Sequence, residues 1–124
     1  MPSQTTFALF LMAALLACGC AEDSCEDFAR AALSISVVDA ASGSSICDAT
    51  VVATDGSFNH ELQLYKNTSG PTEVCSYSGA YEQNGTYTVT ITAPQYQSQT
   101  QTVAALQHDE CHVITQKAEI RLVR

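Results

Sequence analysis

The chain is predicted to be all-β: a single seven-stranded antiparallel sandwich, preceded by a cleaved export segment. Three observations predict it. From Leu33 onward the apolar residues recur with period two, and nothing there repeats at helical spacing. Gly, Asn, Asp and Ser clusters punctuate these runs at short intervals. Six Cys in 124 residues, after an apolar leader, fit a small exported domain held by disulfides.

The leader comes first. Phe7 to Ala17 is an unbroken apolar run, too short to span a bilayer but of the length of a signal-peptide core. It runs into Leu15-Leu16-Ala17-Cys18, which resembles the lipobox of bacterial lipoproteins. The resemblance implies cleavage after residue 17 and a lipid on Cys18, hence membrane attachment at the cell envelope. Cys20 is the alternative acylation site, and a plain secretory leader with a secreted product is the alternative to both. Residues 18–32, small and acidic, are read as a tether, and 33–124 as the folded domain.

The strands follow in order. Leu33, Ile35 and Val37 alternate with Ser34 and Ser36, and Ala49, Val51 and Ala53 with Thr50, Val52 and Thr54. A third strand is read over 61–66, where Leu62 and Leu64 alternate with Gln63 and Tyr65. A fourth carries Cys75 near its start. Thr86–Thr92 is the clearest, with Tyr87, Val89 and Ile91 on one face and four Thr on the other. Asn84-Gly85 before it favours a type I′ hairpin. Residues 97–102 (Gln97 to Thr102) are polar throughout and read as a solvated edge strand. In the last run Ile114, Ala118, Ile120 and Leu122 share a face, interrupted by Gln116. Turns are expected at Ser42-Gly43-Ser44, Asp55-Gly56 and Ser69-Gly70-Pro71.

Several of these stretches together resemble the carboxypeptidase regulatory-like domain. They are Val37-Val38-Asp39-Ala40-Ala41-Ser42-Gly43, Cys47-Asp48-Ala49-Thr50-Val51, Gly85-Thr86-Tyr87-Thr88-Val89 and Ala93-Pro94-Gln95-Tyr96. The resemblance implies a transthyretin-like Greek-key sandwich and a non-catalytic accessory role. The family has Gly where this chain has Gln95, so the turn before Tyr96 is expected to differ. Hydroxyisourate hydrolases share that sandwich, but their C-terminal Tyr-Arg-Gly-Ser signature is not matched by Ile120-Arg121-Leu122-Val123-Arg124.

With one Cys acylated and Cys20 in the tether, Cys25, Cys47, Cys75 and Cys111 remain, and three pairings are open. Strands that alternate up and down put Cys47 and Cys75 at one pole, Cys25 and Cys111 at the other. Cys47–Cys75 and Cys25–Cys111 are therefore expected.

Net charge −8 opposes contact with nucleic acid. His108-Asp109-Glu110-Cys111-His112 has metal-ligand types but no metal-site spacing, so it reads as a solvated turn. Asp39, Asp48 and Asp55 lie near turns, where oxygen ligands hold calcium or Asp bonds its own backbone. Cys47, His60 and Asp55 are the types of a nucleophilic triad with nothing in the sequence to bring them together. Tyr65, Tyr77, Tyr81, Tyr87 and Tyr96 divide between core and surface, and surface tyrosines stack on sugars or anchor partners. These readings imply no enzyme, no cofactor and no metal. The expected role is structural or protein-binding through the 97–102 edge, with glycan or calcium binding as the alternative and a transthyretin-like hydrolase disfavoured.

Overall fold

In the computed structural model the described residues are Cys25, 27–56 and 58–124, so the leader, Cys18, Cys20 and most of the tether lie outside them. Among the described residues there are eight strands: β1 (Ala31–Asp39), β2 (Thr50–Asp55), β3 (Phe58–Glu61), β4 (Gln63–Asn67), β5 (Val74–Tyr81), β6 (Gly85–Thr92), β7 (Gln99–Ala105) and β8 (Gln116–Leu122). They form two four-stranded sheets, sheet A in the order β4-β5-β1-β8 and sheet B in the order β3-β2-β6-β7. No helix is long and apolar enough to cross a membrane among the described residues.

Alternation builds both layers. In β6 the side chains of Tyr87, Val89 and Ile91 are buried while Thr86, Thr88 and Thr92 face water. β1 buries Leu33, Ile35 and Val37 and turns Ser34, Ser36 and Val38 outward. These inner rows meet Val51, Ala53, Ile120 and Leu122 in one apolar layer, each large side chain contributing about 1.5–3 kcal/mol by leaving water. Tyr77 and Tyr87 are buried with satisfied hydroxyls. Tyr77 donates to the Ile46 carbonyl (2.8 Å) and accepts from the Ala49 N–H (3.0 Å), and Tyr87 donates to the Gln83 carbonyl (2.7 Å).

The expected seven strands are eight because the run over 61–66 divides at Leu62. β3 pairs with β2 in sheet B, whereas β4 pairs with β5 in sheet A. Leu62 is buried at the seam and donates its N–H to the Val51 carbonyl (2.9 Å). Gly79 makes room for it: a Cβ there would stand 2.7 Å from Leu62 Cδ2. Alternation persists across the seam, so the sequence pattern carries no sign of the break.

The sandwich is also not wholly antiparallel. β1 pairs antiparallel with β5 but parallel with β8, Leu33 opposite Gln116 through Asp39 opposite Leu122. β7 belongs to sheet B, so β8 arrives beside β1 by a crossing rather than a hairpin, and a parallel pair results. The seven-stranded antiparallel Greek-key form is thereby corrected.

Asn84-Gly85 does not make a type I′ hairpin. It joins β5 and β6, which lie in different sheets, and the left-handed residues there are Ala80 and Glu82 (both φ 56). Asn84 instead donates its side-chain amide to the carbonyls of Ala105 (3.0 Å) and Gln107 (3.1 Å). The Asp55-Gly56 turn does connect paired strands, with Gly56 at φ 62. Gln95 takes φ 70, the left-handed conformation that suits glycine. Ile114 lies before β8 and is exposed, whereas Val113 beside it is buried. β1 begins at Ala31, two residues ahead of the expected domain start.

Leu62 should therefore be a sensitive position. Leu62→Ala is expected to lower unfolding free energy by about 2–4 kcal/mol, read by equilibrium urea denaturation. A cost below about 0.5 kcal/mol, the ordinary surface value, would contradict the seam.

Candidate functional site

The four described cysteines fall at the two ends of the sandwich. Cys25 is bonded to Cys111 and Cys47 to Cys75, with Cα–Cα distances of 5.4 and 5.5 Å. These are the pairs that strand polarity selects. Cys25 and Cys111 precede β1 and β8, which are parallel, so they share the end where β1 starts. Cys75 opens β5, which is antiparallel to β1, so Cys47–Cys75 closes the opposite end.

At the Cys47–Cys75 end, Asp39 organises the chain. Its Oδ1 accepts the N–H groups of Ala41 (2.8 Å) and Ser42 (2.9 Å), fixing the turn before Gly43. Its Oδ2 accepts the Tyr96 hydroxyl (2.6 Å) and faces Arg124 Nε at 3.6 Å. The Arg124 guanidinium lies over the Tyr96 ring, 5.0 Å from its centre. The Tyr96 hydroxyl, then the backbone N–H groups of Ser42 and Ala41, hold the Asp39 carboxyl far below its ordinary value of 3.8. The same bond pushes the Tyr96 phenol up.

At the Cys25–Cys111 end the organiser is Glu82. Its carboxylate accepts the N–H groups of Val113 (3.0 Å) and Arg30 (3.0 Å) and meets His112 Nδ1. Those N–H groups, Val113 first, pull the Glu82 carboxyl below its usual range. His112 is nearly enclosed, its ring stacked on Phe28 with centres 5.7 Å apart. Asp109 accepts the N–H groups of Cys111 (2.8 Å) and His112 (2.7 Å), which lower its carboxyl too. The His108–His112 run is thus a carboxylate-braced turn, and its Cys111 sulfur is bonded.

The other candidates are kept apart. Among the described residues, the one His/Cys/Asp/Glu group close enough to share an ion is Cys47, Glu73 and Cys75, and its two sulfurs are already joined. Asp39, Asp48 and Asp55 do not converge, nor do Cys47, His60 and Asp55. His60 meets Tyr87 in a T-shaped ring contact, with centres 6.1 Å apart. Tyr65 and Tyr81 are exposed with hydroxyls 2.9 Å apart.

Sequence reasoning missed Glu82, Arg124 and an open groove of about 620 Å³ on sheet A, lined by Ser36, Ser42, Ser44, Ser45, Thr72, Glu73 and Glu119 among others. The one signal in the sequence was the alternating Ser34 and Ser36, which turn small hydroxyls outward.

Acid stability should report the carboxylate braces. Depressed carboxyls stabilise the fold fully above their unfolded values, and that contribution is lost as pH falls toward the folded ones. The melting temperature is expected to be flat above about pH 5 and to fall below it. Asp39→Asn should melt lower at neutral pH and show a shallower acid decline. An unchanged acid slope would contradict the role of Asp39.

No protein-family model matches this chain, and no curated protein and no solved structure matches it either.

Proposed function

We propose that this chain is an exported, lipid-anchored, non-catalytic module of the carboxypeptidase regulatory-like kind. Its role at the cell envelope is structural or consists of engaging a protein partner along an edge strand. The observation that carries the reading is the placement of bonded cysteines at both ends of the sandwich. Such bonds persist in oxidising compartments, which agrees with an apolar leader ending at Cys18.

The non-catalytic part is supported by what the carboxylates do. Asp39, Glu82 and Asp109 each accept two backbone N–H groups, so they brace loops rather than face a substrate. The partner surface is supported by the sheet edges. β7 ends sheet B, and its outer side pairs with no strand among the described residues. Its start is tied to the end of β8, through Gln97 N–H to the Val123 carbonyl (2.8 Å) and Gln99 Nε2 to the Arg121 carbonyl (2.6 Å). The stretch Gln101–Ala105 is left as the accessible portion for β-augmentation.

Acylation is the part to test first. Cells expressing the chain and fed labelled palmitate should label the wild type and Cys20→Ala, while Cys18→Ala should lose the label. Label retained in Cys18→Ala and lost in Cys20→Ala would move the anchor to Cys20. An unlabelled wild type would contradict the anchor and leave a secreted protein.

A further inference from the structure

The outer face of sheet A is shaped as a trough. Strand register sets Tyr65, Ser76, Ser36 and Glu119 side by side across β4, β5, β1 and β8, and Gln63, Ser78, Ser34 and Lys117 in the next row. Short hydroxyl side chains occupy the two central strands and long ones the two edges. Three strand spacings make each row about 14 Å wide. Toward the Cys47–Cys75 end the trough deepens into the groove of about 620 Å³, walled by the 42–45 turn on one side and Thr72 to Cys75 on the other.

The walls are fixed before any ligand arrives. Ser45 Oγ accepts the Cys75 N–H (2.9 Å), and the Cys47–Cys75 bond follows two residues on. Tyr65 is held as well: its hydroxyl donates to Gln63 Oε1 (3.3 Å) and meets that of Tyr81. Charge sets this face apart in a chain of net −8. The acids bordering the groove each have a basic partner, Glu73 with Lys66 (3.5 Å) and Glu119 with Arg121 (3.6 Å).

We infer that this trough binds an uncharged oligosaccharide laid across the strands from Tyr65 toward Glu119. Ser and Thr hydroxyls both donate to and accept from sugar hydroxyls. The carboxylates of Glu73 and Glu119 accept from them in charge-assisted bonds. The Tyr65 ring offers an aromatic surface for the apolar face of a pyranose. A phosphorylated or uronic ligand lacks the net positive surface it requires. For a protein partner the groove offers only Val38 and Val74 as apolar contacts, and Tyr65 stands apart from them at the far edge of the trough, so no clustered apolar anchor is presented. The inference concerns a different surface from the β7 edge and does not depend on acylation.

Isothermal titration of the full exported chain with maltohexaose, cellohexaose and chitohexaose tests it, with hexagalacturonate as the charged comparison. At least one neutral sugar is expected to bind with Kd on the order of 0.1–1 mM. Glu119→Gln and Tyr65→Ala should each weaken that binding about fivefold or more, whereas Thr102→Ala on β7 should leave it unchanged. Tyr65 is 47 % exposed and the Glu119 side chain 52 %, so equal melting temperatures are expected and serve as the folding control. Three results would each overturn the proposal: no heat from any neutral sugar at about 5 mM, binding undiminished in both Glu119→Gln and Tyr65→Ala, or hexagalacturonate binding as tightly as the neutral chain.

Discussion

Cys47–Cys75 and Cys25–Cys111 close opposite ends of one thin apolar layer, and the rest of the molecule depends on that closure. A domain of this size removes only about 60–65 % of its unfolded surface from water, which leaves a narrow margin for folding. The bonds span 28 and 86 residues. In the chain-entropy model they stabilise the fold by about 3.5 and about 4.5 kcal/mol, most of the stability of an ordinary small domain. They also join distant parts of the chain. The long bridge fixes the segment before β1 to the turn before β8, and the short one fixes the loop before β2 to the start of β5.

Beside each bond stands a carboxylate that accepts backbone donors and also ties together separate segments. Asp39 joins the turn after β1 to Tyr96 and Arg124. Glu82 joins Arg30 to Val113 and His112. Loops that would otherwise leave N–H groups without partners are ordered in this way. The acidity of the chain is therefore partly architectural. The ends are occupied by their own bracing, and the outer sheet faces and edges remain as the surfaces for recognition.

Much of this was legible in the residues. Thr86–Thr92 reads as a half-buried strand because β-branched and aromatic residues alternate without a break, and the structure buries Tyr87, Val89 and Ile91 together. Once Cys18 and Cys20 are set aside, strand direction selects the two Cys pairs. What could not be read was which sheet each strand joins. Period-two alternation looks the same on either side of Leu62, and Asn84-Gly85 has the same local preference whether the next strand folds back or crosses over. The sites were less legible still. Tyr96 reaches Asp39 across 57 residues and Val113 reaches Glu82 across 31, and no local pattern marks such partners. His108–His112 shows its polarity in sequence, and Asp109 braces it from within, but the second carboxylate that fixes it, Glu82, comes from the turn after β5. Gln95 departs from the resembled pattern, yet the backbone keeps the left-handed turn and its Oε1 accepts from Arg124 (3.3 Å).

Urea unfolding of the exported chain, with and without a dithiol reductant, tests the closure of the two ends most directly. The oxidised chain should unfold in one cooperative step. Reduction should lower its stability by roughly 5 kcal/mol or more and leave much of the chain unfolded at 37 °C without denaturant. Coincident transitions in the two conditions would contradict the dependence of the fold on its sulfur bonds.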